Sequence, residues 1–135
     1  MARKKPKRIG LAIIGAGRVG LIRGELPARH PEVEWIGLAE INPERGEIVR
    51  EKCGADFVTT DFRELLARPE VNAVVVSTDE HLHVDPAMLA AERKPPMLIE
   101  KPLATDLAES ESTLAAVEKS GAGAVIGYTQ RLRRR

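Results

Sequence analysis

RIGLAIIGAGRVG, residues 8–20, is the stretch that decides the fold of this chain. Its first part is an apolar run without alternation, which is typical of a parallel strand buried on both faces. Its second part has the pattern G-x-G-x-x-G, and the residues that follow suit a helix. Because the pattern stands between a strand and a helix, it predicts a dinucleotide-binding loop, the alternative being a glycine-rich structural turn.

The three glycines of this pattern have different expected roles. Gly15 permits the tight turn out of the strand, Gly17 has no side chain to hold a pyrophosphate away from the backbone, and Gly20 lets the helix pack closely on the strand. The amides at the start of the helix are unpaired and carry the positive end of its dipole, so they suit a phosphate. The expected pyrophosphate site consists of Gly15, Ala16, Gly17, Arg18, Val19 and Gly20.

Length and composition indicate one globular domain. The chain has 135 residues, of which 43% are hydrophobic and 30% charged, as in ordinary globular proteins. No apolar run approaches the roughly 20 residues of a membrane span, so we expect no membrane partner. The basic start of the chain lacks the features of a signal peptide. Cys53 is the single cysteine, which excludes an intrachain disulfide and favours a cytoplasmic location.

The net charge of +1 conceals an uneven distribution of charge. Five basic groups lie in residues 1–8 and four in residues 131–135, whereas residues 9–130 carry a net charge of −8. An acidic body argues against a nucleic-acid groove. The basic ends are more simply explained as a solvated tail and the start of a truncated element. We therefore expect no nucleic-acid partner.

Strand-like and helix-like segments alternate along the chain, which predicts a parallel sheet with helices on both faces. The expected strands are residues 8–14, 33–40, 57–59, 72–77, 97–99 and 124–128. The expected helices are residues 18–29, 43–53, 86–93, a short one capped by Asp61 that runs to residue 67, and one opened by Asp106 that runs to about residue 120. The predicted fold is a doubly wound α/β Rossmann domain with strand order 3-2-1-4-5-6. Its ligand crevice should lie at the carboxyl ends of the strands, where that order reverses.

Two of the helices carry more specific expectations. In the first, Val19, Ile22 and Leu26 fall on one face. In the fourth, Asp85 followed by Pro86 resembles an N-cap followed by a proline at the first helical position. Residues 79–84 would then form a loop or a single turn.

A carboxylate and a guanidinium follow the second strand. Glu40 can accept hydrogen bonds from both ribose hydroxyls of an adenosine, and it would repel a 2′-phosphate, so it favours NAD over NADP. Arg45 follows closely and could pair with a 2′-phosphate instead. NAD is therefore the expected cofactor, with NADP as the alternative.

The ends of the fourth and fifth strands supply further polar candidates. The hydroxyls and backbone of Ser77 and Thr78 could meet the middle of a bound cofactor. Lys101 follows the fifth strand, where a partly desolvated lysine can donate or accept a proton; the alternative is ordinary surface charge. His83 has no second cluster of cysteine or histidine to form a metal site with, so we expect no metal.

These motifs resemble the N-terminal domain of the Gfo/Idh/MocA oxidoreductases. The matching segments are IIGAGRVG (13–20), AEINPER (39–45), VVVST (74–78) with His83, EKPLA (100–104) and GYTQR (127–131). The Glu-Lys-Pro segment is the most specific of them, because it separates this family from other dinucleotide-binding folds. The resemblance implies an NAD- or NADP-dependent oxidoreductase that transfers a hydride to or from a sugar, a polyol or a related hydroxyl or carbonyl compound.

The resemblance also implies roles at the cofactor. Residues 15–20 would bind the pyrophosphate, and Glu40 and Arg45 would meet the adenosine ribose. The nicotinamide side would be lined by Ser77, Thr78 and His83.

On the substrate side, the resemblance places Glu100 and Lys101 between the nicotinamide and the substrate. Lys101 would assist proton transfer from a sugar hydroxyl while hydride passes to the ring. The bond between Lys101 and Pro102 would be cis, an isomer that is cheap only before proline.

The chain departs from the family at three places. Thr78-Asp79-Glu80 stands where the family usually has Thr-Pro-Asn, and residues 92–96 differ from its usual alanine-glycine-lysine. On this resemblance, we also expect the family's second α+β domain to be missing from these 135 residues. We therefore expect a basic tail at residues 1–7, the Rossmann domain at residues 8–128, and the start of a link at residues 129–135.

Two kinds of function follow from this organisation. In the first, the chain is the cofactor domain of an oxidoreductase, and in isolation it binds cofactor weakly and turns over no substrate. In the second, it is a non-catalytic dinucleotide-binding or sensor module that works alone or with a partner. A methyltransferase would also use a glycine loop but leaves the Glu-Lys-Pro segment unexplained. An apolar patch near residues 124–132, uncovered without a second domain, would promote self-association.

Overall fold

The computed structural model describes residues 8–132, which form a six-stranded parallel sheet with helices on both faces. The strands are β1 (Ile9–Ile14), β2 (Val33–Ala39), β3 (Phe57–Thr59), β4 (Ala73–Val76), β5 (Met97–Ile99) and β6 (Ala124–Ile126). The helices are α1 (Arg18–Ala28), α2 (Pro43–Cys53), α3 (Phe62–Leu66), α4 (Val84–Arg93) and α5 (Leu107–Ser120), with 3₁₀ turns at Glu80–Leu82 and Thr129–Leu132. The sheet order is β3-β2-β1-β4-β5-β6, so the predicted fold class and strand order are confirmed. The expected tail at residues 1–7 and the last three residues of the expected link lie outside the described residues.

The core consists of two apolar layers, one on each face of the sheet. The layer beneath α1 and α2 includes Ile13, Leu38 and Val49, and the layer beneath α3, α4 and α5 includes Leu65 and Ala90. All five side chains are almost fully buried. Both faces of the central strands are covered by apolar side chains. A ligand can therefore meet polar groups of the sheet only at the ends of the strands. Among the described helices, none combines the length and apolarity that a membrane crossing requires.

Helix α1 packs against the sheet in a way that the sequence did not indicate. Val19, Ile22 and Leu26 are 42%, 47% and 65% exposed, so the apolar face of this helix points outward. Its buried residues are Gly20 and Gly24. A Cβ atom on Gly20 would lie 2.0 Å from the carbonyl oxygen of Gly15, and one on Gly24 would lie 2.5 Å from the sulfur of Cys53. The helix therefore approaches so closely that only glycines fit at the contact.

The start of α4 also differs from the prediction. The helix begins at Val84 with His83 as its N-cap, so Asp85 lies in the first turn and is not the cap. The reason is that the 3₁₀ turn Glu80–Leu82 leads directly into the helix, with His83 already in helical conformation. Pro86 still lies in the first turn, where its missing N–H has no helical partner to lose.

The predicted cap of α5 is confirmed and gives a first testable prediction. The Asp106 carboxylate accepts a hydrogen bond from the Glu109 backbone N–H at 2.8 Å. Asp106→Ala should lower the free energy of unfolding by about 1 kcal/mol, because it leaves an N–H of the first turn without its partner. Urea unfolding monitored by circular dichroism measures this. Glu111→Ala, at an exposed position within α5, is the control and should change stability by less than about 0.5 kcal/mol. Equal effects of the two substitutions would contradict the capping role.

Candidate cofactor-binding site

A cleft of about 340 Å³ opens at the carboxyl ends of β1, β2 and β4. This is the edge of the sheet at which the strand order reverses, because β2 and β4 lie on opposite sides of β1. Six of the predicted site residues line the cleft: Gly15, Gly17, Glu40, Arg45, Ser77 and Thr78. The topology thus brings together residues from three separate loops.

The first two glycines of the loop meet different surroundings. Gly15 has a φ of 90°, and a Cβ atom on it would lie 2.5 Å from the backbone nitrogen of Thr78. Its own N–H donates to the carbonyl oxygen of Ala39 at 2.8 Å. A Cβ atom on Gly17, in contrast, would meet no atom within 4 Å. Gly15 therefore fits a packed turn, whereas Gly17 borders the open space in which a ligand would lie.

The N-terminus of α1 is left without a side-chain cap. Gly17 is the N-cap residue and no acidic residue stands in the first turn. Helices α2 and α5 are capped by Asn42 and Asp106. Uncapped amides together with the helix dipole form a site for an anion, and here they border the cleft. Arg18 and Val19 are exposed in this first turn. These features fit the diphosphate of a dinucleotide.

Two hydroxyls at the end of β4 have different functions in the structure. The Ser77 hydroxyl is buried and donates to the carbonyl oxygen of Gly15 at 2.9 Å. It therefore fastens the glycine loop to β4, and Ser77 also lines the cleft. The Thr78 hydroxyl is buried without a hydrogen-bond partner in the described structure, and Thr78 lines the cleft. An orphaned hydroxyl at this place fits a ligand that carries polar groups.

The Glu40 carboxylate joins the loops that follow β1 and β2. One oxygen accepts from the backbone N–H of Ala16 at 2.8 Å. The other accepts from the backbone N–H of Asn42 at 2.9 Å and from the Arg45 guanidinium at 2.8 Å. Burial by itself would raise the pKa of this carboxyl, but the hydrogen bonds from Arg45, Asn42 and Ala16 together hold the pKa below its ordinary value of 4.5. The oxygen that accepts only from Ala16 keeps a lone pair that could accept from a ribose hydroxyl.

The lowered pKa of Glu40 predicts a pH dependence of stability. The folded state binds this proton less readily than the unfolded state, so the stabilisation is fully present above the unfolded-state pKa near 4.5 and is lost as pH falls through the folded-state pKa. Urea unfolding of the wild-type chain should therefore give a free energy that decreases between about pH 5 and pH 3, and Glu40→Gln should show a smaller decrease. Identical slopes would mean that other carboxyls carry the pH dependence.

Glu100 follows β5 and is held by a residue that the sequence analysis missed. Its carboxylate forms an ion pair with the Arg23 guanidinium of α1, and both side chains are mostly buried. A Cβ atom on Gly127 would lie 2.8 Å from a Glu100 oxygen, so the carboxylate also packs against the loop after β6. The available signal was helical spacing, since Arg23 lies three residues after Gly20, on the same side of α1.

Lys101 and His83 have different surroundings: Lys101 is exposed, whereas His83 is buried. Lys101 is exposed and outside the cleft lining, and its bond to Pro102 is cis, as the resemblance implied. His83 is 1% exposed, with Nδ1 2.7 Å from the carbonyl oxygen of Pro102 and Nε2 3.0 Å from that of Thr78. The imidazole therefore lies between the loops after β4 and β5, and whichever nitrogen carries the proton donates to its carbonyl.

Several other cleft residues were not singled out from the sequence. They include Ile41, Thr60, Phe62, Leu82 and Val84. They follow β2, β3 and β4, so their common position at one edge of the sheet was the signal that could have found them. Ile41 is 73% exposed, which leaves an apolar surface suited to a flat base. In residues 8–132, no group of three or more histidine, cysteine or acidic side chains is arranged to hold a metal ion.

An uncapped helix that opens onto a cleft at the reversal point of a parallel sheet is how dinucleotide-binding domains are built. The sequence model of one such family, described as an oxidoreductase family with an NAD-binding Rossmann fold (GFO_IDH_MocA), matches residues 9–128. The chain belongs to this family and forms its NAD-binding domain. The resemblance drawn from the sequence motifs is thereby confirmed.

Individual relatives agree with this assignment. An uncharacterized oxidoreductase of Bacillus subtilis is 30% identical over 93% of this chain and 37% of its own length. Myo-inositol 2-dehydrogenase of Thermotoga maritima is 28% identical over 94% of this chain and 37% of its own length. The solved structure of levoglucosan dehydrogenase with NADH and levoglucosan is 27% identical, with a TM-score of 0.82 over 92% of this chain and 36% of that one. The chain thus spans little more than a third of the length of these relatives.

Proposed function

We propose that this chain is the cofactor domain of an NAD-dependent oxidoreductase that acts on a sugar, a polyol or a related hydroxyl or carbonyl compound. The observation that carries the proposal is the uncapped N-terminus of α1, which faces open space above Gly17 at the reversal point of the sheet. The substrate class is supported by two relatives, a myo-inositol 2-dehydrogenase and a levoglucosan dehydrogenase solved with its sugar. We assign the domain to residues 8–128 and the start of a link to residues 129–135.

In the proposed complex, each loop contacts a different part of the cofactor. The amides at the start of α1 bind the diphosphate, with Gly17 allowing its approach. Glu40 accepts from one hydroxyl of the adenosine ribose through the lone pair that is left on the oxygen bonded to Ala16, and Ile41 packs on the adenine. The Thr78 hydroxyl, which lacks a partner in the described structure, donates to the nicotinamide half.

The residues after β5 form the substrate side of the proposed site. Bound NAD supplies a nicotinamide ring that accepts or gives a hydride. Lys101 exchanges a proton with the substrate hydroxyl, and its exposed side chain is free to reach a substrate placed over the ring. Arg23 orients Glu100, which precedes Lys101 directly and holds the start of the loop after β5 in place. His83 holds Pro102 on the other side, so the segment is supported at both ends.

Titration of the chain with NADH and, separately, with NADPH tests the proposal. Calorimetry or nicotinamide fluorescence should show saturable NADH binding at a one-to-one ratio, with NADPH binding more weakly. Gly54→Ala, which lies far from the cleft at the end of α2, is a control that should bind NADH as the wild type does. Absence of binding by the folded chain would refute the proposal.

Hydride transfer is tested separately from cofactor binding. We expect the 135-residue chain to produce no NADH from NAD and myo-inositol, because Lys101 is open to water and the groups that would react are not enclosed by the described residues. Steady production of NADH by the purified chain would overturn this expectation. NADH binding without turnover is also what a dinucleotide sensor would show, and restored turnover after fusion to the remaining segment of a longer relative would favour the enzyme.

We further propose that the chain associates with itself and resides in the cytoplasm. The strand β6 leaves Val125 65% exposed, and Tyr128 beyond it is 51% exposed. Such a patch at a sheet edge favours association. Analytical ultracentrifugation should detect concentration-dependent dimers that Val125→Lys weakens.

The proposed cytoplasmic location rests on the cysteine content. The single buried thiol of Cys53 is suited to a reducing compartment.

A further inference from the structure

We propose that Asp79, acting with Glu40, keeps Arg45 from serving as a 2′-phosphate receptor and so makes the adenosine end of the cleft selective for NAD. This inference rests on the proposed function and adds a second determinant of cofactor choice.

Arg45 is the residue on which the choice depends. Its guanidinium donates to Glu40 at 2.8 Å, and its backbone N–H donates to the Asn42 side chain at 3.1 Å. The hydrogen bond that Arg45 donates to Glu40 and the charge of Glu40 raise the pKa of Arg45, and the charge of Asp79 raises it further. The cation is therefore already paired with Glu40, and the Asp79 carboxylate lines the same cleft.

Asp79 is placed to repel a phosphate directly. It follows Thr78 and precedes the 3₁₀ turn Glu80–Leu82, and its carboxylate makes no capping bond to that turn. Its side chain is exposed and lines the same cleft as Glu40 and Arg45. This carboxylate has no hydrogen-bond partner among the described residues, so no protein donor offsets its repulsion of an anionic group that enters the cleft.

The remaining charges of the cleft also disfavour a 2′-phosphate. The charged and titratable residues that line it are Glu40, Arg45, Asp79, His81, Asp85 and Glu109. Four of these are carboxylates, against one arginine that is already paired. A 2′-phosphate would add up to two more negative charges to this set. A ribose hydroxyl adds none, and it can donate to the carboxylates.

NAD and NADP differ only in the 2′-phosphate, so calorimetric titration of the full chain with each isolates the effect. Asp79→Asn should tighten NADP binding by about three- to tenfold at low salt and change NAD binding by less than about twofold. The gain should shrink at about 0.5 M salt, because an exposed charge is screened there. Asp79→Glu keeps the charge and should keep the wild-type preference. Glu32→Gln, in the turn before β2 at the opposite end of the sheet, is the matched control and should leave both affinities unchanged.

The outcomes separate this inference from the proposed function. If NAD binds and Asp79→Asn leaves the ratio of the two affinities unchanged, the inference is overturned and the proposed function stands. If Asp79→Asn weakens NAD itself, then Asp79 contacts the nucleotide, and its role as a repelling charge is wrong. If the folded wild-type chain and all variants bind neither nucleotide, the proposed function fails and the inference fails with it.

Discussion

Gly15→Ala should abolish NADH binding and lower the free energy of unfolding by about 2–6 kcal/mol. Two costs combine at this position. The φ of 90° is one that alanine rarely adopts, and the new Cβ atom would lie 2.5 Å from the Thr78 nitrogen and 2.7 Å from the Ser77 carbonyl group. These are backbone atoms of the neighbouring strand end, so they cannot rotate away. Urea unfolding and NADH titration measure the two consequences.

Two matched substitutions separate the causes. Gly17→Ala places the same methyl group two residues away in open space, so it should leave stability within about 1 kcal/mol and weaken NADH binding by tenfold or more, on the order expected when a methyl group blocks a diphosphate. At Gly54 the φ angle is also positive, 64°, but an added Cβ atom would meet no atom within 4 Å. Gly54→Ala should therefore lower the free energy of unfolding by only about 1–2 kcal/mol and leave NADH binding unchanged. If Gly17→Ala bound NADH normally, the diphosphate would not lie on this loop.

Glu40→Ala should have the second largest effect. It removes the acceptor of three hydrogen bonds and leaves the buried N–H of Ala16 without its partner in the described structure. Each orphaned buried donor costs about 1–3 kcal/mol, so we expect a loss of about 2–4 kcal/mol in the free energy of unfolding. NADH binding should fall as well, because the glycine loop loses the side-chain link that joins Ala16 to the end of β2. Urea unfolding and NADH titration measure both effects.

Glu40→Gln is the matched control for this prediction. It keeps one acceptor and nearly the same shape, so its loss of stability should be roughly half that of Glu40→Ala or less. Glu40→Arg, which the sequence alone would suggest for a switch towards NADP, is a poor test because it would force a second cation against Arg45 at a buried position. A wild-type stability for Glu40→Ala would show that the Ala16 amide is not held by this carboxylate.

Much of the fold follows from local signals in the sequence. Pro43, Gly54 and the Asp106 cap mark helix ends that the structure reproduces, because capping chemistry acts within a few residues. The strand order follows from the alternation of elements and from the glycine loop. The exposed face of α1 could not be foreseen in the same way. Its orientation is set by the contact of Gly24 with Cys53, residues 29 positions apart in the chain.

The sequence predicted where the residues of the candidate site lie better than it predicted which atoms they contact. The sequence placed Glu40, Ser77 and Thr78 at one edge of the sheet, and the structure brings them to one cleft. It could not show that Ser77 bonds the glycine loop or that His83 turns both nitrogens inward. Such bonds depend on distances between loops that no local pattern encodes.

The close packing of α1 also makes the only thiol of the chain a reporter. Cys53 lies behind Gly24 and is 5% exposed, and burial raises the pKa of its thiol. A sulfhydryl reagent can therefore reach it only when α1 and the end of α2 move apart. Since α1 begins at the glycine loop, a ligand that holds this loop in place should slow the labelling of Cys53 without touching the sulfur.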